Sequence, residues 1–282
     1  MSSSETYHVR IYNSDTHYWI FNPEQKKTIV MIHGFRGNHH GLYDIITTLP
    51  DFRIVIPDLP GFGESTPMTA KKHDIEGYAE FTEQFVQKLK LGKPALLGHS
   101  FGSIVASAVA ARSPELFSKL ILVNPIAAPA LKGPRTMFSY GAKLYYQIGA
   151  ALPEKIGRAL LSNRLVVLTT SQLLAKTKDK ALRADIHRHH LEHFSTFQTR
   201  SSLLEAFNAS INHTVLDYAA HIHMPTLLIA GAEDDIAPLA GQYDAESHIP
   251  GAQLIVIPGV GHLIHREAPH DAGVAITRFL NR

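Results

Sequence analysis

Short runs of apolar residues recur along much of the chain, and a stretch of amphipathic, helical periodicity follows most of them. Runs of this length are typical of strands that are buried on both faces of a sheet. They lie at residues 28–32, 53–56, 95–97, 120–123, 226–230 and 253–257. The helical stretches between them predict right-handed crossovers in a mostly parallel sheet.

The first 25 residues have a different pattern, in which apolar and polar positions loosely alternate among many aromatic and β-branched residues. Asn13, Ser14 and Asp15 separate two such segments, so a β-hairpin is predicted there. With the hairpin, the sheet has about eight strands. Helices that cover both of its faces are predicted at 42–49, 75–90, 103–112 and 268–280.

The regular order is interrupted between the apolar runs at 120–123 and 226–230. Long helical patterns at 138–151 and 177–194 fill this interval, and residues 128–217 carry 12 Lys and Arg against 6 Asp and Glu. We therefore predict a helical cap at 128–217, inserted after the sixth strand, between core segments at 1–127 and 218–282. We interpret the positive charge of the cap as that of a solvated surface. The alternative is a lid that attracts anions.

Composition narrows the class of protein. The chain has 282 residues, of which 45% are hydrophobic, a length that suits one large α/β domain with an insertion. The absence of cysteine excludes disulfide scaffolds and thiolate metal sites. A formal net charge of +2 gives no argument for binding nucleic acid.

The start of the chain, Met1 to Glu5, lacks the basic and apolar regions of a signal peptide. The most apolar long segment, 159–175, is interrupted by Asn163 and Arg164, so no membrane span is predicted. We expect a soluble, cytoplasmic protein that acts on a small-molecule substrate, and the sequence leaves its oligomeric state open.

The sharpest local motif is Gly98-His99-Ser100-Phe101-Gly102, a G-x-S-x-G sequence between an apolar strand and a helix of small residues. A sharp turn from strand to helix strains the serine backbone and leaves no room for side chains at the flanking glycines. Such a turn exposes the Ser100 hydroxyl at the start of the helix. The motif therefore predicts a nucleophile.

A serine hydroxyl needs a base to accept its proton and a group that orients the base. Among 18 histidines, His262 is distinguished by its glycine-rich loop after the last apolar run. The preceding run ends in three carboxylates, Glu233, Asp234 and Asp235, at the edge where α/β sheets place their sites. Any of the three could be the orienting acid.

These motifs resemble the α/β-hydrolase superfamily, in its branch of capped serine hydrolases, over nearly all of the chain outside 128–217. The family order of nucleophile, acid and histidine implies Ser100, Asp234 and His262. The acid loop of the branch, G-x-x-D-x-x-x-P, is matched from Gly231 to Pro238 and selects Asp234. Some relatives carry the acid after the previous strand, where this chain has Asn124, which cannot serve as a carboxylate.

The resemblance also implies an oxyanion hole made by the backbone N–H groups of Phe35, which follows His33-Gly34, and Phe101. His33 and Asp58 match family positions that we interpret as structural. Glu267 and Pro269 match the start of the final helix.

Several side chains are weaker candidates. Arg36, beside the expected oxyanion donor, could contact a substrate carboxylate or be a surface arginine of the loop. His189 and His193 have the i, i+4 spacing of metal ligands, but a third ligand is not evident, and an exposed cap helix is the favoured interpretation. The residues that could line a pocket in the cap are Phe138, Tyr140, Tyr145 and Tyr146.

The expected function is a serine hydrolase of EC 3.1.1 type, without cofactor or metal, that cleaves a small or medium ester through an acyl-enzyme on Ser100. The same triad could instead act on a carbon–carbon bond, a thioester or a lactone, or as a lyase of menaquinone synthesis. Haloalkane dehalogenase and epoxide hydrolase chemistry is disfavoured, because relatives with those activities have Asp where this chain has Ser100. A ligand-binding receptor on the same fold is the alternative without catalysis.

Overall fold

The computed structural model describes residues 5–129, 136–194 and 196–282, without the side chains of residues 5 and 136–139. Its eight-stranded sheet has the order β1-β2-β4-β3-β5-β6-β7-β8. Only β2 pairs antiparallel, with β1 and β4, and the other neighbouring strands are parallel, as predicted. The strands are β1 (Glu5–Ile11), β2 (Ser14–Phe21), β3 (Thr28–Ile32), β4 (Arg53–Pro57), β5 (Ala95–His99), β6 (Leu120–Val123), β7 (Thr226–Gly231) and β8 (Gln253–Ile257).

The predicted hairpin is β1 and β2, whose register pairs Ile11 with Ser14. Tyr12 and Asn13 form the two-residue turn with φ angles of 48° and 64°. Two successive left-handed residues match the twist of the strands, and asparagine adopts this conformation more readily than most residues.

Helices cover both faces of the sheet. The helices are α1 (Tyr43–Thr47), α2 (Ile75–Lys88), α3 (Phe101–Arg112), α4 (Thr136–Ala151), α5 (Glu154–Leu161), α6 (Arg164–Leu174), α7 (Lys180–His193), α8 (Arg200–Asn212), α9 (Leu239–His248), α10 (Ile264–Glu267) and α11 (Pro269–Leu280). Successive residues of β3 alternate between two hydrophobic clusters: Val30 and Ile32 pack with α2 and α3, whereas Ile29 and Met31 pack with α1 and α11. The two clusters are the two sides of the sheet.

The helix predicted at 42–49 is wrong in its bounds. A 3-10 helix, His39–Leu42, comes first, and α1 has only five residues. Asn38 begins the 3-10 helix by accepting a hydrogen bond from the backbone of His40. The helical segment therefore starts at polar residues before Leu42. A pattern of apolar positions cannot show such a start.

The interval predicted as a helical insertion holds α4 to α8, which lie between β6 and β7. Tyr146, Leu161 and Phe207 from these helices belong to the same hydrophobic cluster as α2 and α3. The insertion therefore packs directly on the core, and the domain boundaries at 127/128 and 217/218 stay a prediction. None of the helices in the described ranges is long and apolar enough to cross a membrane.

Candidate active site

Ser100 lies between β5 and α3 in a strained turn. Its backbone angles are φ 53° and ψ −119°, a region that side chains disfavour. A Cβ atom at Gly98 would lie 2.3 Å from the carbonyl oxygen of Gly102, and a Cβ at Gly102 would lie 2.3 Å from the carbonyl oxygen of Ile32. Both glycines are therefore required by close backbone approach, which explains the spacing of the motif.

The structure brings together the three side chains that the sequence predicts as a triad. Ser100 Oγ lies 2.8 Å from His262 Nε2, and His262 Nδ1 lies 2.8 Å from Asp234 Oδ2. A carboxylate only accepts hydrogen bonds, so the proton of the neutral ring is on Nδ1. This tautomer leaves Nε2 to accept the proton of the serine hydroxyl.

Asp234 is buried at the start of the loop after β7. Burial alone would raise the pKa of its carboxyl, but the adjacent His262 and the N–H groups of Ala237 and Ile236 outweigh that effect and lower it. Those two N–H groups donate to Oδ1 at 2.9 and 2.8 Å. Asp234 is therefore held as a carboxylate that faces the imidazole.

The neighbouring acids have other surroundings. Glu233 is exposed, and Asp235 pairs with Lys176 at 2.5 Å. The contacts thus agree with the family motif in selecting Asp234.

Asn124, which the sequence marks only as a position without an acid, contacts the proposed triad. It follows β6 with a left-handed φ of 46°. Its Nδ2 donates to Asp234 Oδ2 at 2.9 Å and to the carbonyl oxygen of Gly261 at 3.1 Å. One amide therefore connects the acid loop to the histidine loop. The sequence signal that could have indicated this role is the position of a polar residue directly after a buried strand.

The turn after β3 is held by His33. Its Nδ1 donates to the carbonyl oxygen of Gly34 at 2.8 Å, and its Nε2 accepts from the N–H of Leu59, also at 2.8 Å. Burial lowers the pKa of this imidazole, so the ring stays neutral. The structural role predicted for His33 is confirmed.

Asp58 has the second structural role that was predicted. Its carboxylate accepts from the backbone N–H groups of His39 and Glu64 at 2.7 and 2.9 Å and from His39 Nδ1 at 2.9 Å. Pro269 begins α11 as expected. Glu267, in contrast, ends α10 and accepts from the N–H groups of Lys176 and Thr177, both at 2.6 Å.

A cavity of about 690 Å³ opens onto Ser100 and His262. Its lining includes Phe35 and Phe101, the predicted oxyanion donors. Phe101 is the first residue of α3, where backbone N–H groups have no acceptor within the helix. Which atoms bind an oxyanion stays a prediction.

Of the predicted pocket residues, Tyr145 and Tyr146 line the cavity. Tyr140, the third candidate, is not among the lining residues and is 55% exposed. The side chain of Phe138 lies outside the described residues.

Arg36 is not the surface arginine that was one interpretation, because only 5% of it is exposed. Its guanidinium donates to the carbonyl oxygens of Leu161 and Phe194 at 2.8 and 2.9 Å and to the hydroxyl of Tyr146 at 3.1 Å. These contacts fix inserted helices to the turn after β3. Although Arg36 also borders the cavity, its contact with substrate stays a prediction, and the bonding favours a structural role.

His189 and His193 also line the cavity, with ring centroids 4.5 Å apart. The face of α7 that carries them is therefore turned toward the site, unlike the exposed helix that was expected. Within the described parts of the chain, no group of three His, Asp or Glu is placed to hold a metal ion.

Comparison with known proteins agrees with this architecture. A family model described as the alpha/beta hydrolase fold matches residues 27–269. An uncharacterized hydrolase of Bacillus subtilis is 25% identical over 260 residues, which cover 90% of each chain. A monoacylglycerol lipase of Mus musculus is 25% identical over 268 residues, which cover 92% of this chain and 76% of that protein.

Among solved structures, the carboxylesterase CesB of Bacillus subtilis superposes with a TM-score of 0.79 at 19% identity. The superposition covers 99% of this chain and 92% of the esterase, and it shows a shared fold. Since the family model spans most of the sequence, this protein belongs to the α/β-hydrolase fold family.

Proposed function

We propose that this protein is a serine hydrolase that cleaves a carboxylic ester of small or medium size through an acyl-enzyme on Ser100. The observation that carries the proposal is the hydrogen-bonded series Ser100–His262–Asp234 at the wall of a cavity. A cavity of about 690 Å³ is within the range of sites that enclose small molecules.

In the first half of the reaction, Ser100 Oγ attacks the ester carbonyl carbon while its proton passes to His262 Nε2. The carbonyl oxygen becomes an oxyanion, for which the N–H groups of Phe35 and Phe101 are the proposed donors. When the tetrahedral intermediate collapses, the carbon–oxygen bond to the alcohol breaks and the alcohol oxygen takes the proton from His262. The acyl group stays on Ser100.

In the second half, a water molecule gives a proton to His262 and attacks the acyl carbon. The Ser100–acyl bond breaks, Ser100 recovers its proton, and the carboxylic acid is released. Asp234 stabilises the imidazolium in both halves because it faces Nδ1 as a carboxylate. Helices α4, α6, α7 and α8, which lie within the proposed cap at 128–217, supply much of the cavity wall. In this proposal the cap limits the access of bulk water to the reaction.

The test is the rate of p-nitrophenyl butyrate hydrolysis by the wild-type protein and by Ser100→Ala. We expect the substitution to lower kcat at least 10³-fold, because the attacking oxygen is removed. Ser247→Ala is the matched control, since this hydroxyl lies on exposed surface at the end of α9. Turnover that survives in Ser100→Ala would refute the assignment.

A fluorophosphonate probe separates the enzyme from a receptor on the same fold. An enzyme should be labelled at Ser100 and should also turn over esters many times. Labelling of Ser100 without any turnover across an ester panel would support the receptor and overturn the proposal.

A further inference from the structure

The cavity has two chemically different sides. On one side, aromatic rings from the core and from the inserted helices pack together. Tyr146 stacks on Phe207 with ring centroids 3.8 Å apart, and Phe35 lies 6.0 Å from Phe207 and 6.2 Å from Phe101. We call this group the aromatic arm. Apart from the Tyr146 hydroxyl, which accepts from Arg36, it offers apolar surface near the nucleophile.

The other side of the cavity is lined by imidazole rings, which we call the imidazole arm. His99 and His265 come from the core, with ring centroids 4.2 Å apart, and His189, His190 and His193 come from α7. These five histidines border the same cavity as Ser100. The proposed mechanism uses none of them for proton transfer, since that role belongs to His262.

Ser100 is flanked along the chain by one residue of each arm. The residue before it, His99, belongs to the imidazole arm, and the residue after it, Phe101, belongs to the aromatic arm. An ester held at Ser100 therefore has one substituent near each arm. Since His262 protonates the leaving alcohol, the alcohol part lies on the side of His262, whose ring is 5.8 Å from that of His99.

The imidazole rings are held neutral. Burial lowers the pKa of His99 to about 3, and burial together with the charge of Arg266 lowers the pKa of His189 to about 3 and of His190 to about 4. Arg266 is itself paired with Asp44 at 2.8 Å and with Asp185 at 2.5 Å. A neutral imidazole has one nitrogen that donates and one that accepts, which suits a hydroxyl group.

Two ring nitrogens of the imidazole arm lack a hydrogen-bond partner. His99 Nε2 and His265 Nδ1 are buried, and neither has a hydrogen-bond partner among the residues described. Each residue is only 6% exposed. Buried nitrogens without a partner are destabilising unless a ligand or solvent group bonds to them. An alkyl chain in this arm would leave both nitrogens unsatisfied.

We propose that the imidazole arm binds the alcohol part of the substrate and selects an uncharged alcohol that carries further hydroxyl groups, while the aromatic arm takes an apolar acyl chain. This inference rests on the proposed esterase function. A hydroxyl can donate to one ring nitrogen and accept from another. A carboxylate can accept from the protonated nitrogens but cannot donate to the unprotonated ones, which it leaves without a partner.

Three butyrate esters with alcohol parts of three carbons test the inference: 1-butyrylglycerol, n-propyl butyrate and 3-butyryloxypropionate. We expect kcat/KM for the glycerol ester to exceed that for the propyl ester by about 10- to 100-fold, the effect of one or two hydrogen bonds to buried groups. The carboxylate ester should be the poorest of the three.

The variants His265→Phe and His189→Phe then assign the preference to the arm. Each should lower the ratio of kcat/KM between the glycerol and propyl esters about tenfold, because phenyl cannot form hydrogen bonds with hydroxyls. His223→Phe, at an exposed position, is the matched control and should keep the wild-type ratio. If His265→Phe does not fold, His189→Phe, which is only partly buried, carries the test alone.

The outcomes separate this inference from the proposed function. Absence of Ser100-dependent hydrolysis for all three esters would overturn the esterase proposal itself. Ser100-dependent hydrolysis that is fastest with the propyl or the carboxylate ester would overturn only the imidazole arm. A preference for the glycerol ester that both histidine variants retain would also overturn it.

Discussion

At the scale of single residues, the environment of each carboxylate decides its chemistry. Asp234 and Asp235 are adjacent, yet Asp234 accepts from two backbone N–H groups and His262, whereas Asp235 pairs with Lys176 at partly exposed surface. Only the first arrangement holds an imidazole in one tautomer. The two residues therefore form a matched pair for testing the acid.

Asp234→Asn should lower kcat for p-nitrophenyl butyrate by about 10³- to 10⁴-fold, because an amide can present its NH₂ group to His262 and favour the wrong tautomer. Asp235→Asn should change kcat less than twofold, since its ion pair is partly exposed and contributes less than about 1 kcal/mol. Steady-state kinetics of the two variants measure this contrast. Equal losses would mean that the acid is misassigned.

The sequence was sufficient to predict that Ser100, Asp234 and His262 meet, because each lies in a motif that follows a strand and the family resemblance selects Asp234 among three acids. It was not sufficient to predict the contacts of Asn124 or the place of His99 at the cavity. The contacts of Asn124 join the ends of β6 and β7 with the histidine loop, so its role depends on strand order, which single motifs do not encode. With 18 histidines in the chain, nothing local distinguishes those that line the cavity.

At the scale of elements, Arg36 is one of the side chains that join the insertion to the core. Arg36 lies in the turn after β3 with a left-handed φ of 59°, and it donates to carbonyl oxygens at the C-terminal ends of α5 and α7. Helix C-termini carry partial negative charge, so a cation there is favourable. The sequence predicted strand bounds well because buried strands are continuous apolar runs, but a polar link between distant elements leaves no such pattern.

Arg36→Met should lower the free energy of unfolding by about 3 kcal/mol, because it leaves buried carbonyl groups without a donor. Chemical denaturation measures this loss, and limited proteolysis should cleave the inserted helices sooner. Arg36→Lys should lose less, since lysine keeps the charge but not the planar set of donors.

Arg188→Met, at a mostly exposed arginine of α7, is the control and should change stability by less than about 0.5 kcal/mol. A stable Arg36→Met protein that loses activity only toward carboxylated esters would contradict the structural role. That result would instead support substrate contact by Arg36.

At the scale of the whole molecule, folding favours the uncharged form of many imidazoles. Burial is the main cause of a lowered pKa at His33, His40, His73, His99, His189, His190, His193 and His265. Each of these rings binds a proton more weakly in the folded chain than in the unfolded chain. Stability that depends on them is therefore present above the ordinary histidine pKa of about 6.5 and is lost as the pH falls toward 4.

The free energy of unfolding should accordingly fall by several kcal/mol between pH 7.5 and pH 5.0, measured by urea denaturation. His190, with a folded pKa of about 4, should contribute about 2 kcal/mol of this loss. His190→Gln should remove that share of the pH dependence, whereas His223→Gln, at an exposed position, should keep all of it. The carboxylates of Asp58 and Asp234 do not interfere, because their pKa values are lowered and they stay ionised in this range. Stability that is flat from pH 7.5 to 5.0 would mean that these histidines accept protons without opening the fold.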